Sequence, residues 1–240
     1  MAHRSEGFTV IELLIAMALV GILFPALYNY FLHASKEFVA QQGIIQMQSD
    51  ARAAMDVMVR ELRHSYGAPT LSTTVTTGDT ISFDRVEDTG RSTGGNTSTT
   101  LRDTAKVWLE DAFAPSAEGA YRLWIVTGTG AGQSRTVASN TATELMVAAA
   151  WGVTPDTTSL YSLTRNKGFT RASATDHVLG YRLGSTADHT PLADHITALT
   201  FALPDPETVT VTLTARTQGL DPRSGELRTY TLTETVRRRN

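Results

Sequence analysis

The 240-residue chain contains no cysteine. That excludes disulfide staples, thiol nucleophiles and cysteine-ligated metal sites, so any globular part must hold by core packing alone. Charge of either sign is scarce in excess: 21 Lys and Arg stand against 24 Asp and Glu, a net of −3. Such a balance exerts no bulk pull toward nucleic acid or anionic lipid. No serine sits in a nucleophile elbow, and no catalytic constellation of recognisable spacing is present. The run Thr127-Gly128-Thr129-Gly130-Ala131-Gly132-Gln133 lacks the Lys-Ser/Thr and the following helix of a phosphate loop. It reads as a tight β-turn needing positive φ. No enzymatic role and no cofactor is expected.

Three Asp-His pairs, Asp176-His177, Asp188-His189 and Asp194-His195, carry metal-ligating chemistry. Neighbours on a strand point to opposite faces, so a single pair seldom converges on one ion. Solvated side chains are the simpler reading, and no metal is expected.

What the chain does have is one long apolar run. Lys36 is the next charged residue after Glu12, which leaves Leu13–Ser35 as 23 residues without formal charge. At about 1.5 Å per residue, that helix reaches roughly 35 Å and crosses a bilayer core of about 30 Å. Glu12 opposes insertion; an ionisable group at such a position usually has a job and a partner. His3 and Arg4 precede the run and favour a cytoplasmic N-terminus. Gly21 and Pro25 lie inside it, and Pro25 predicts a kink.

A short polar leader, Met1-Ala2-His3-Arg4-Ser5-Glu6-Gly7, is followed by Phe8, and Glu12 stands five residues after Gly7. This arrangement, joined to an uncharged helix, resembles the class III signal of type IV prepilins and the related type II secretion pseudopilins. The resemblance implies cleavage between Gly7 and Phe8 by a prepilin peptidase, N-methylation of Phe8, and assembly through Glu12. It implies as partners other pilin or pseudopilin subunits, the peptidase, an inner-membrane assembly platform and membrane lipid. An ordinary secretory signal would be cut after the apolar run, whereas Ala16-Met17-Ala18 lies in its middle.

From Ser35 to about Tyr66, Ile44, Met47, Ala51, Met55, Met58 and Leu62 recur at steps of three and four between charged residues. That predicts an amphipathic helix whose stripe packs on the protein's own sheet. Arg52–Asp56 and Asp56–Arg60 have ion-pair spacing. Gly67 and Pro69 end the helix. Residues 50–63 resemble the same region of PilW-type minor pilins and J-type pseudopilins.

Beyond Tyr66 the chain turns to short Thr- and Val-rich runs separated by Gly, Asp, Asn and Pro. Gly90–Thr100, nearly all small and polar, reads as an exposed loop. Tyr121–Leu163 reads as an inserted β module. Ile196–Leu203, Thr208–Arg216 and Leu227–Arg237 read as strands, the last two joined as a hairpin by Asp221-Pro222-Arg223-Ser224-Gly225. Arg237–Arg239 could touch phosphates, but three arginines give modest, salt-sensitive attraction. A solvated strand end is preferred, and DNA is disfavoured as a partner.

The expected fold is α+β: a long N-terminal helix packed on an antiparallel β-rich head, as in pilins. Its divisions are a leader (1–7), a transmembrane helix half (8–35), an amphipathic half (36–66) and the head (67–240), with the inserted module at 121–163. The expected function is a minor pilin, with a J-type pseudopilin or a DNA-uptake or adhesive module as alternatives. Such a chain sits first in the bacterial inner membrane with its N-terminus cytoplasmic, then in a periplasmic or extracellular filament. Intact mass of the membrane-extracted protein should begin at methylated Phe8; a start beyond Ala18 would exclude this assignment.

Overall fold

The computed structural model describes residues 9–71, 77–116, 118–171, 177–184, 189–222 and 224–238. Its one helix among them, α1 (Val10–Arg63), is followed by an antiparallel β-rich head. The chain forms two compact units, Met1–Gln46 with Thr217–Arg228, and Met47–Arg216 with Thr229–Asn240.

α1 continues through Gly21 and Pro25. Pro25 lacks the N–H for one backbone bond, yet the turns on both sides remain helical. The helix stops at Arg63, three residues earlier than Gly67 and Pro69 would place it. Side chains close it instead of a glycine. Ser65 Oγ donates to the Leu62 carbonyl at 2.7 Å, and His64 Nδ1 lies 2.8 Å from the Arg60 carbonyl oxygen. Those are helix-end acceptors with no intrahelical donor. Released at once, the chain enters a strand at Ser65.

In the larger unit, Met47, Ala51, Ala54, Met55, Met58 and Leu62 are buried along one face of α1. Ala54 joins the stripe expected from spacing, and Ile44 is only half-buried. Arg52 turns to the last strand, donating to Tyr230 Oη at 3.3 Å with its guanidinium 5.8 Å from the ring centre.

Two sheets make the head. The strands of the first are β1 (Ser65–Leu71), β3 (Thr80–Arg91), β4 (Thr100–Arg102), β5 (Tyr121–Thr127), β6 (Ser134–Asn140), β7 (Glu144–Val147), β8 (Leu160–Arg171), β9 (Leu179–Leu183) and β10 (Thr190–Ala193). They run β1-β3-β8-β5-β6-β7-β4, with β9 on β8 and β10 on β9. β8 is central. It pairs with β3 from Leu160 to Thr170, and its other edge takes β5 through residues 160–165 and β9 through 167–171. The second sheet holds β2 (Thr77–Gly78), β11 (Ile196–Asp205), β12 (Thr208–Leu220) and β13 (Leu227–Arg237), in order β13-β12-β11-β2. Val209, Val211, Leu213 and Ala215 bury one face of β12. On the other face, Thr210, Thr212 and Thr214 meet Thr235, Thr233 and Thr231 through hydroxyl contacts of 3.3, 3.2 and 3.0 Å. Such cross-strand Thr pairs stabilise an open sheet face.

Residues from Leu101 to Leu163 share a core of their own, including Leu123, Ile125, Val137, Leu145 and Tyr161, with Trp108 and Phe113 packed against it. Tyr161 Oη donates to buried Asp103 at 2.7 Å, and burial with that carboxylate raises the phenol's pKa. A Cβ at Gly90 would overlap both groups, so only glycine lets β3 pass. The glycine-rich turn has φ of 82°, 84° and 85° at Gly128, Gly130 and Gly132, and a Cβ on Gly128 would collide with the Thr158 carbonyl. Gly90–Thr100 is not a free loop. Ser92 is buried, Asn96 Nδ2 donates to Ser92 Oγ and the Pro155 carbonyl, and its Oδ1 accepts from Arg102 N–H. Small polar residues suit this segment because one asparagine supplies the hydrogen bonds that a ladder would.

An ion cluster around the buried Lys167 ties the end of α1 to the sheet. Glu61 Oε2 lies 2.9 Å from Arg85 Nε and 3.7 Å from Lys167 Nζ, while Glu87 meets Arg85 at 2.8 Å and Lys167 at 2.9 Å. Burial pulls the Lys167 pKa down, but hydrogen bonds to Glu87 and Tyr181 outweigh it and hold the ammonium above its ordinary 10.5. A raised lysine contributes its stability fully below that ordinary value and loses it as pH climbs through the raised one. Lys167→Met should therefore lower stability at pH 8 by about 1 kcal/mol, since Glu87 loses a charge-assisted hydrogen bond while Arg85 still pairs with both carboxylates. Denaturant midpoints at several pH values should show wild type losing its advantage only above pH 10.5.

Candidate assembly site

The N-terminal part of α1 is apolar on every side. Val10, Ile11, Leu13, Leu14, Ile15 and Met17 are all more than half exposed, as are Phe24, Leu27 and Phe31. Its most apolar 18-residue window has a mean hydropathy of 2.5 and no buried share. A helix hydrophobic all round finds its cover in lipid or in other helices.

At the start of that helix, Thr9 and Glu12 close a reciprocal cap. Glu12 Oε2 accepts from Thr9 N–H at 2.9 Å and from Thr9 Oγ1 at 3.0 Å, while Glu12 N–H reaches back to Thr9 Oγ1 at 3.3 Å. The first helical bond runs from Leu13 N–H to the Thr9 carbonyl at 3.2 Å. This is a capping box, and a carboxylate in a first turn also faces the positive end of the helix dipole. The partner that an ionisable group in an apolar helix demands is thus supplied partly by its own chain. Oε1 takes no hydrogen bond among the described residues and remains open to a donor from outside. Thr9 is the residue that reading for charge alone misses. Its signal, Thr-x-x-Glu before an apolar run, is present in the sequence as Thr9-Val10-Ile11-Glu12. Gly7 and Phe8 lie outside the described residues.

In the same unit, Asp221, Pro222 and Arg228 border a shallow cavity of about 190 Å³ with Glu37, Ala40, Gln41 and Ile44. Asp221 is buried and receives both Nε and Nη2 of Arg228.

The remaining candidates are dispersed or already engaged. His177 and His195 stand at loop positions with φ of 54° and 64°, not on strands. His177 Nε2 lies 2.8 Å from Arg216, which can only donate, so that nitrogen accepts. Among the described residues no group of three or more His, Asp or Glu converges as a metal site; Asp176 and Asp188 lie outside them. At the C-terminus, Arg238 is buried and donates to the Gly67 carbonyl, and its N–H meets the Glu207 carbonyl at 2.9 Å. It fastens the end of the chain to β1 and is neither a solvated end nor a phosphate contact. Arg237 pairs with Glu207 at 3.1 Å; Arg239 lies outside the described residues.

Residues 2–24 match the family described as the prokaryotic N-terminal methylation motif. No curated protein and no solved structure matches the chain. The matched segment contains both Thr9 and Glu12. Thr9→Ala should fray the first turn and raise amide exchange at residues 9–13 by about fivefold, while Thr9→Ser should restore protection. Hydrogen–deuterium exchange of the detergent-solubilised protein measures both.

Proposed function

We propose that this chain, type IV prepilin- or pseudopilin-like by its N-terminal methylation motif and apolar helix, is a PilW-like minor pilin. A prepilin peptidase cuts after Gly7, methylates Phe8, and leaves a membrane-anchored subunit that enters a filament through α1. The methylation-motif family is one of structural subunits, and the head is read accordingly as a filament-borne domain. The observation that carries this reading is a coincidence of position. The matched segment is the start of a helix whose large apolar side chains find no cover in their own chain. A J-type pseudopilin of a secretion filament shares all of these features. An anchored DNA receptor is disfavoured, since Arg237 and Arg238 are both engaged within the head. The module at 121–163 is proposed as an insertion carried by that head, its core completed by Leu101, Trp108 and Phe113 from outside it.

Glu12 is the proposed docking charge, its open Oε1 facing the methylated amine of Phe8 on a neighbouring subunit. Glu12→Gln keeps acceptors for the Thr9 cap and loses only the charge; Glu12→Val loses both. Both variants should still be cut after Gly7, because the peptidase reads the Gly-Phe junction. Both should fall by about tenfold in sheared filaments, as expected when one partner of a desolvated charge pair is removed. One immunoblot of membranes and sheared filaments reads processing and incorporation. Normal incorporation of Glu12→Gln would remove the charge from the mechanism.

A further inference from the structure

The larger sheet has a face that the filament reading leaves without a task. Strand alternation turns Ile81, Phe83 and Lys167 inward, toward the buried side of the head. On the opposite side Ser82 and Asp84 of β3, Asn166 of β8, and Arg122 and Trp124 of β5 line a groove of about 510 Å³. Tyr66 of β1 and Thr136 of β6 flank it.

Two aromatic rings are held in place there. Tyr66 and Trp124 sit 5.5 Å apart, inclined at 52°. Trp124 Nε1 donates to Thr164 Oγ1 at 3.2 Å, which fixes the indole, and Arg122 lies 5.7 Å from its centre. Beside them, Asn166 Nδ2 donates to Asp84 Oδ1 at 3.2 Å. That single bond leaves much capacity unused. Asp84 Oδ2, Asn166 Oδ1, the Tyr66 hydroxyl and the Arg122 guanidinium make no hydrogen bond to another described residue. The groove thus offers aromatic surface next to a planar acceptor pair and a planar donor fork.

Charge and backbone narrow the ligand. Asp84 and Arg122 are the charged residues lining the groove, and they cancel. The neighbouring Arg135 is spent, donating to the Ala150 and Ser134 carbonyls at 2.8 Å each and covering Trp151. Arg182, on the same face, is likewise engaged, its guanidinium donating to Ser82 Oγ at 2.6 Å, so a nucleic-acid strand finds no free positive track for its phosphates. A peptide that binds by strand addition needs an open edge, yet β3, β8 and β5 are paired on both sides. An uncharged polyhydroxylated chain fits both limits. The C–H faces of its rings lie on aromatic surface, and its hydroxyls donate to Asp84 and Asn166 and accept from Arg122.

We propose that the groove bounded by Tyr66, Trp124, Asp84, Asn166 and Arg122 is a binding site for a neutral oligosaccharide. The site belongs to the head alone and does not depend on whether the chain enters a filament, so incorporation assays and sugar titrations fail separately. The test uses the full chain in a non-glycosidic detergent. Cellohexaose, chitohexaose and maltohexaose are each titrated by calorimetry and by tryptophan fluorescence, beside an oligothymidine. At least one hexasaccharide should bind, shift tryptophan emission, and keep its affinity across a sodium chloride series. Trp124→Ala, Asp84→Asn and exposed Arg122→Ala should each weaken that binding about tenfold or more, with circular dichroism unchanged. If Trp124→Ala fails to fold, the other two variants decide. Absence of binding by all three sugars overturns the proposal. So does wild-type affinity in Asp84→Asn and Arg122→Ala, or steeply salt-dependent binding of oligothymidine alone.

Discussion

A single helix of 54 residues has to satisfy two solvents, and the rest of the molecule follows from where one gives way to the other. Its beginning exposes large apolar side chains on all sides; from Met47 onward the apolar positions are buried in one stripe. Monomeric soluble proteins rarely present so much contiguous apolar surface to water. The early part therefore serves as a membrane anchor, and the later part as the core element of the head. The first part stays helical through Pro25, and the second part keeps its spacing of three and four without a break.

Two glutamates on this helix meet the same demand in opposite ways. Glu12 stands among apolar neighbours and takes its hydrogen bonds from the backbone and hydroxyl of Thr9, neutral groups three residues away. Glu61 stands at the sheet and takes Arg85 and Lys167, which the head brings to it. A carboxylate capped by dipoles keeps an oxygen for a later partner. A carboxylate held between a buried lysine and a half-buried arginine is committed to its own fold. That contrast is the physical reason for the proposal that assembly uses one end of the helix and cohesion the other.

Much of this was legible in advance. The uncharged run, the leader pattern and the buried face of the second helical half are all periodic or contiguous features. The turn at Gly128, Gly130 and Gly132 was legible too, since only a left-handed backbone explains glycine at alternate positions. Less visible was Gly90–Thr100, whose composition suits a solvated loop until Asn96 finds Ser92 and Pro155. The helix ends three residues earlier than Gly67 alone would place it, because Ser65 and His64 close it first. The fate of Arg238 had no local signal at all.

The sequence by itself determined the α+β class, the anchor and the methylation signal, because each depends on residues within a few positions of one another. Only the tertiary structure decided the centrality of β8, the ion cluster at Glu61, the groove beneath Tyr66 and Trp124, and the tether of Arg238 to Gly67. Asp103 meets Tyr161 across 58 residues, and Arg238 meets Gly67 across 171. Pairings at such distances are set by which strands share an edge, and an unaligned sequence of short, similar Thr- and Val-rich strands carries no local preference among the possible neighbours.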